Sequence, residues 1–146
     1  MENFWTKSER KVLIIGYGNP LRGDDAVGPL VASRLGGVVV HQLNPELAEP
    51  LAAAGLAIFI DAQHDLSPGA VEISPIEGSR VLTHHCTPAY LVQLARDVYG
   101  RAPHTVVVGI GPESFEWGAR LSPAARQGAR RASREIERRV RQYSRL

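Results

Sequence analysis

One stretch constrains this chain more than any other: Val12-Leu-Ile-Ile-Gly-Tyr-Gly-Asn-Pro-Leu-Arg-Gly-Asp-Asp-Ala-Val-Gly28. Four apolar residues, Val12 to Ile15, read as a short buried strand. Gly16, Gly18 and Gly23 then open a loop where the backbone can take positive φ or approach a partner closely. Asp24 and Asp25 stand where the loop turns into a helix. Asp24 can cap that helix by accepting from its free N–H groups. A second carboxylate beside the cap is more than a cap needs. The loop fails the two familiar phosphate fingerprints. Leu21 occupies the third glycine's place of G-x-G-x-x-G, and no G-K-[ST] is present. The stretch is therefore a strand–glycine–helix turn ending in carboxylates: either a helix cap in an ordinary α/β domain or a functional loop.

The remaining elements follow from periodicity and punctuation. Val27, Leu30, Val31 and Leu35 recur at helical spacing until Gly36-Gly37. Val38 to Gln42 reads as a second strand. Asn44-Pro45 starts a second helix that stops at Gly55. Leu56 to Ile60 is apolar throughout, as a central strand covered on both faces would be, and it ends in Asp61. Ala70 to Ser74 alternates, as a half-exposed edge strand does. Thr87-Pro88 begins a helix that Gly100 closes. Thr105 to Ile110 is another buried strand, and Ser122-Pro123 caps the last helix. The order β-α-β-α-β-β-α-β-α predicts an α/β fold: a single three-layer αβα domain spanning residues 1–146. Its sheet is expected to be mainly parallel, with about five strands and helices on both faces.

Composition narrows the class. A chain of 146 residues with 44% hydrophobic content supports one real core. The single cysteine excludes an internal disulfide and a Cys-rich zinc site, and fits a reducing compartment. Met1 to Lys11 has no apolar core of a secretory signal, and no apolar run is long enough to span a bilayer. The expectation is a cytoplasmic protein with no membrane partner. Nine arginines against two glutamates after residue 119 make that segment +7, leaving −5 for the rest of a chain whose net charge is +2. With no interleaved aromatics and no recognised motif, the basic segment reads as a solvated helix face. No nucleic-acid partner is expected. Docking of that helix to an acidic partner surface is a secondary reading.

In parallel α/β folds, ligands sit beyond the carboxyl ends of the strands. Asp25 follows the first strand, Asp61 ends the third, and His84 and His85 precede a helix. Two carboxylates and an imidazole suit a borderline divalent metal such as zinc or nickel, with positions open for water or substrate. Spacing alone does not choose among these and His41, His64, Asp65 and Cys86.

Taken together, the motifs resemble the [NiFe]-hydrogenase maturation endopeptidases. The likeness rests on Gly16 to Asp25 continuing to Gly28, on Ile60-Asp61-Ala62, on Thr83-His84-His85 ahead of Tyr90-Leu91, and on Val106 to Ser114 followed by Leu121-Ser-Pro123. The resemblance implies a metal-dependent endopeptidase that removes the C-terminal extension of a hydrogenase large-subunit precursor after nickel insertion. It places the family's three metal ligands, also its catalytic residues, on Asp25, Asp61 and His84. His84 rather than His85 keeps the distance to the following Tyr-Leu. The nickel would come with the precursor, another divalent metal being possible in the isolated protein. His41 to Leu47 departs from the glycine-rich segment of many relatives and resembles the branch serving NAD-reducing hydrogenases. The alternative is a non-catalytic nickel-binding or hydrogenase-interacting module using the same residues. A nucleotide-binding protein is a third reading, weakened by the missing fingerprint. A monomer is expected.

Overall fold

The computed structural model describes residues 11–82 and 85–145. Among the described residues, five strands form one sheet in the order β2-β1-β3-β5-β4. They are β1 (Val12–Tyr17), β2 (Val38–Val40), β3 (Leu56–Ala62), β4 (Val71–Pro75) and β5 (His104–Ile110). The first four neighbours pair in parallel, and only β4 runs antiparallel, along β5. β3, apolar from Leu56 to Ile60, is the central strand, as its sequence demands. Leu56, Ile58 and Ile60 point to one face and Ala57 and Phe59 to the other.

The helices are α1 (Val27–Arg34), α2 (Ala48–Ala53), α3 (Pro88–Tyr99) and α4 (Pro123–Ser144). On one face Val27, Val31 and Ala32 of α1 pack with Ala125, Ala129, Ala132 and Ile136 of α4 against Ile58, Val106 and Val108. On the other, Leu51 of α2 and Leu91, Val92 and Ala95 of α3 pack against Ile15, Phe59 and Val107. The result is the expected three layers with a core on each side of the sheet.

The punctuation residues act as their chemistry directs. Asn44, Thr87 and Ser122 each accept an N–H from the first turn of the helix they open. Gly100 ends α3 in the left-handed conformation at φ 83°. The first loop winds into its helix through a 3-10 turn, Gly23–Ala26. Strand limits differ from the sequence reading by one or two residues. β1 runs two residues further, to Tyr17, and β2 stops at Val40. Val38 and Val39 are exposed, because β2 is the second edge of the sheet and covers little.

The antiparallel β4 changes how the rim is assembled. Its last residue, Pro75, pairs with Val106 near the start of β5, at the end of the sheet opposite Asp61. The chain then returns along α3: Ile76 donates to the Thr105 carbonyl, and Ser79 N–H reaches the Ala89 carbonyl in the first turn of that helix. It is this return, and not the edge strand, that carries residues 85–87 to the carboxyl end of the parallel strands.

Basic residues dominate one helix face. Arg126, Arg130, Arg131, Arg134, Arg138 and Arg141 of α4 are all exposed, in keeping with a solvated face. Among the described residues, no helix is long and apolar enough to cross a membrane.

Candidate functional site

The site is built where β1 and β3 end side by side. Gly16 pairs with Ile60, so Tyr17 and Asp61 occupy neighbouring strand ends. Helix α1 begins directly against them. A Cβ on Gly28 would lie 2.4 Å from the Ile60 carbonyl oxygen and 2.8 Å from that of Tyr17. Only a glycine lets the helix start this close to the rim. Gly18 does the same for the loop: at φ 148°, a Cβ there would meet the Asp25 carbonyl oxygen at 2.1 Å.

Asp25 therefore lies folded back on its own loop. The Asn19 N–H donates to its Oδ2 at 2.7 Å, while Asn19 Oδ1 accepts from Leu21 N–H at 2.9 Å. Asn19 thus shapes the loop and fixes one oxygen of the candidate ligand.

Asp61 sits in a different environment. Burial pushes its carboxyl up to about 7, and the negative charge of Asp25 adds to this. The Tyr17 hydroxyl donates to it and, with the Ala62 N–H and the nearby His64, opposes the rise. Tyr17 is in turn buried beside Asp61 and Cys86, which holds its own proton firmly on the phenol. Its ring meets Phe59 edge-on, with centroids 6.5 Å apart. Sequence reasoning missed Tyr17. Its only signal is position, as the last residue of a strand paired with the strand that ends in Asp61.

The other acid of the pair has another task. Asp24 is 1% exposed and does not cap its own helical turn, which lacks a side-chain cap. Its oxygens accept from Glu113 N–H at 2.7 Å, from Ser122 N–H at 2.7 Å and from Ser122 Oγ at 2.7 Å, with Ser114 N–H at 3.4 Å. Its own N–H donates to the Ser114 carbonyl at 2.9 Å. Burial alone would raise its carboxyl, but these donors outweigh burial and hold it below the usual carboxylate range. The capping role expected from sequence is corrected accordingly: Asp24 clamps the β5–α4 loop at the start of α4. A saturated acceptor of this kind cannot serve as a mobile proton carrier.

The remaining candidates separate by position. His84 lies outside the described residues. His85 is exposed, two residues ahead of the Thr87 cap of α3. Cys86 is half-buried near Tyr17, and burial raises its thiol. His64 is exposed but within electrostatic reach of Asp61. Asp65 is exposed beyond it, and His41 presents its carbonyl to Gly18 N–H at 3.2 Å. Among the described residues, no three His, Cys, Asp or Glu side chains come together as a group able to hold a metal. Asp25 and Asp61 thus offer two donors on one rim, and α3 opens at the same rim.

No family model and no curated protein matches the sequence. Solved structures do match. The crystal structure of a [NiFe] hydrogenase maturation protease, HycI from Thermococcus kodakarensis, aligns with a TM-score of 0.71 at 26% identity, over 96% of this chain and 97% of that one. Over nearly its whole length, the chain resembles the [NiFe]-hydrogenase maturation proteases. The hydrogenase maturating endopeptidase HybD from Escherichia coli aligns with a TM-score of 0.73 at 23% identity, over 90% and 93% of the two chains. The endopeptidase HycI from the same organism aligns at 0.63 and 20% identity, over 87% and 89%. At those lower identities the likeness is one of fold.

Proposed function

We propose that this protein is an endopeptidase that removes the C-terminal extension of a [NiFe]-hydrogenase large-subunit precursor once nickel is in place. One observation carries the reading: Asp25, in the turn that follows β1, lies within electrostatic reach of Asp61 at the end of the adjacent parallel strand β3, and Asp61 is pushed to about 7 by burial and by this acidic neighbour. Like charges crowded in a partly dry site are costly unless something positive joins them. A divalent cation is the simplest such partner. The likeness to structures named as maturation proteases supplies the substrate class.

In this reading the nickel is part of the substrate, already held by the precursor's cysteines. Asp25, Asp61 and His84 add ligands to it, and docking the metal lays the scissile peptide across the rim. Asn19 fixes one oxygen of Asp25. Tyr17 hydrogen-bonds Asp61 through its hydroxyl. Asp24 moves no protons. It fixes the β5–α4 loop, so that the wall beside the rim is in place before the substrate arrives. A metal docked at this rim would polarise the scissile carbonyl or supply the attacking water. Two carboxylates and an imidazole bind a divalent ion less firmly than a closed four-ligand site, which suits a metal that leaves with its substrate.

The test is to incubate the purified protein with nickel-loaded and nickel-free precursor and follow the extension by intact mass. Loss of the extension only from the nickel-loaded form is the expected result. Efficient trimming of metal-free precursor would remove nickel from recognition. Binding without trimming of either form would favour a non-catalytic nickel-binding or hydrogenase-interacting module.

A further inference from the structure

We infer that the precursor chain next to its scissile bond docks along a track that runs from Asp61 over the β5–α4 loop to Trp117 and Leu21. The inference rests on the endopeptidase reading for the identity of the partner, and on the geometry for the surface.

Two large apolar side chains stand in solvent together at this rim: Trp117 is 62% exposed and Leu21 63%. Their backbones are tied to each other. Arg22 and Trp117 form an antiparallel bridge, and Gly118 N–H donates to the Leu21 carbonyl at 2.9 Å. The Arg22 guanidinium lies 5.1 Å from the centre of the Trp117 ring, and its Nε donates to the Phe115 carbonyl at 3.3 Å. Single exposed apolar residues are ordinary, but a tethered pair beside a cationic group is a surface shaped for contact.

The surface is also rigid before any partner arrives. Asp24 holds Glu113, Ser114 and Ser122, the two ends of the loop that carries Trp117. Gly23, at φ 51°, lets the first loop press against that segment, since a Cβ there would sit 2.7 Å from the Ser114 carbonyl oxygen. An aromatic anchor on a fixed loop loses little entropy on binding, and tryptophan and arginine are the residues that most often dominate an interface.

Continuity with the carboxylates makes the precursor the occupant. An open cleft of about 180 Å³ is lined by His64, Pro112, Glu113, Ser114 and Phe115. Of these, His64 is within electrostatic reach of Asp61, and the Phe115 carbonyl receives Arg22. A chain whose reacting bond lies at Asp25 and Asp61 therefore has an unbroken path to the ridge. The fitting segment is extended, with an apolar side chain for Trp117 and Leu21. A carbonyl or carboxylate would meet the guanidinium donors of Arg22 left over from Phe115.

The experiment measures nickel-loaded precursor binding and steady-state trimming for the wild type, Trp117→Ala, Trp117→Phe and Leu21→Ser. Trp117→Ala and Leu21→Ser are each expected to weaken precursor binding about tenfold or more, with the loss in kcat/KM carried mainly by KM. Trp117→Phe keeps a ring and is expected to stay within about threefold of wild type. Should Trp117→Ala unfold, Leu21→Ser decides alone. Binding and KM within twofold of wild type in the folded variants would overturn the track, as would a wild-type protein that does not bind precursor. A wild type that binds, loses binding in Trp117→Ala and never trims would leave the track standing and sink the endopeptidase reading.

Discussion

Asp24 and Asp61 are both carboxylates withdrawn from bulk water, yet they end on opposite sides of the ordinary range. Asp24 is almost sealed from solvent and is nonetheless held low, because the β5–α4 loop and the start of α4 aim donors at it. It also lies beside the N-terminus of a 22-residue helix, where a negative charge is favoured. Asp61 is pushed up to about 7 chiefly by burial, with one phenol as its main donor and another acid as its near neighbour. Burial alone does not decide the fate of a carboxylate; the donors that share that burial decide whether its upward push prevails. The region around Asp24 is finished as protein structure. The region around Asp61 is left short of positive charge, and that shortage is what a cationic substrate group would fill.

This contrast can be broken or sharpened by mutation. The largest effect is expected on processing. Asp25→Ala and Asp61→Ala should each lower trimming of nickel-loaded precursor by about three orders of magnitude, some 4 kcal/mol of transition-state stabilisation. Circular dichroism and the denaturant midpoint should show the fold retained. A variant that trims at the wild-type rate would remove that residue from the site.

Next comes Asp24→Ala, where the balance reverses. The donors of Glu113 and Ser122 lose a charged acceptor inside the protein, which should cost about 3 kcal/mol of stability in urea unfolding. Activity should fall because the wall of the cleft loosens. The pH dependence follows from the same clamp. Its carboxyl is held low in the folded state, so the stabilisation is present above the unfolded carboxylate value and is lost as pH falls through the folded one. Asp24→Asn should flatten that acid limb.

Asp61→Asn should do the opposite to stability. The folded pKa of about 7 lies above the ordinary aspartate value of 3.8. The favourable protonated state is therefore fully present below 3.8 and is lost as pH rises through 7. At pH 8 the wild type carries the penalty and the amide does not. Asp61→Asn is expected to melt several degrees higher at pH 8, for a gain of at most about 4 kcal/mol. That gain should vanish below about pH 4, while processing is lost throughout. An equal melting temperature at pH 8 would show that Asp61 is not strained as a charge.

The smallest effect is Tyr17→Phe. It removes the hydroxyl that opposes the rise of the Asp61 pKa, so the midpoint of the stability–pH curve near neutrality should move upward. The change in stability itself should stay near 1 kcal/mol.

Much of this molecule can be read from its amino acids. The unbroken apolar run of Leu56 to Ile60 announces a central strand, and Asn44, Thr87 and Ser122 mark helix starts by side-chain chemistry that acts within a few residues. The alternation in Ala70 to Ser74 identifies an edge, but alternation is the same for either strand direction, so the antiparallel pairing of β4 is invisible until the fold is complete. The site divides in the same way. Asp25 and Asp61 stand out by motif and by their place after apolar strands. The partners of Asp24 do not, since Glu113 and Ser122 lie 89 and 98 residues away in the chain. Tyr17 looks like one more apolar-strand residue until the β1–β3 register sets it beside Asp61. His84 falls outside the described residues, so its place in the donor set rests on the motif spacing.

The Asp24 clamp has a further consequence for how the protein breathes. One side chain joins the first loop, the β5–α4 loop and the first turn of the last helix. None of the three can open alone without stranding a charged acceptor or its donors. The amides of Glu113 and Ser122 should therefore exchange with solvent deuterium together, as one cooperative opening unit, although they lie in different segments of the chain.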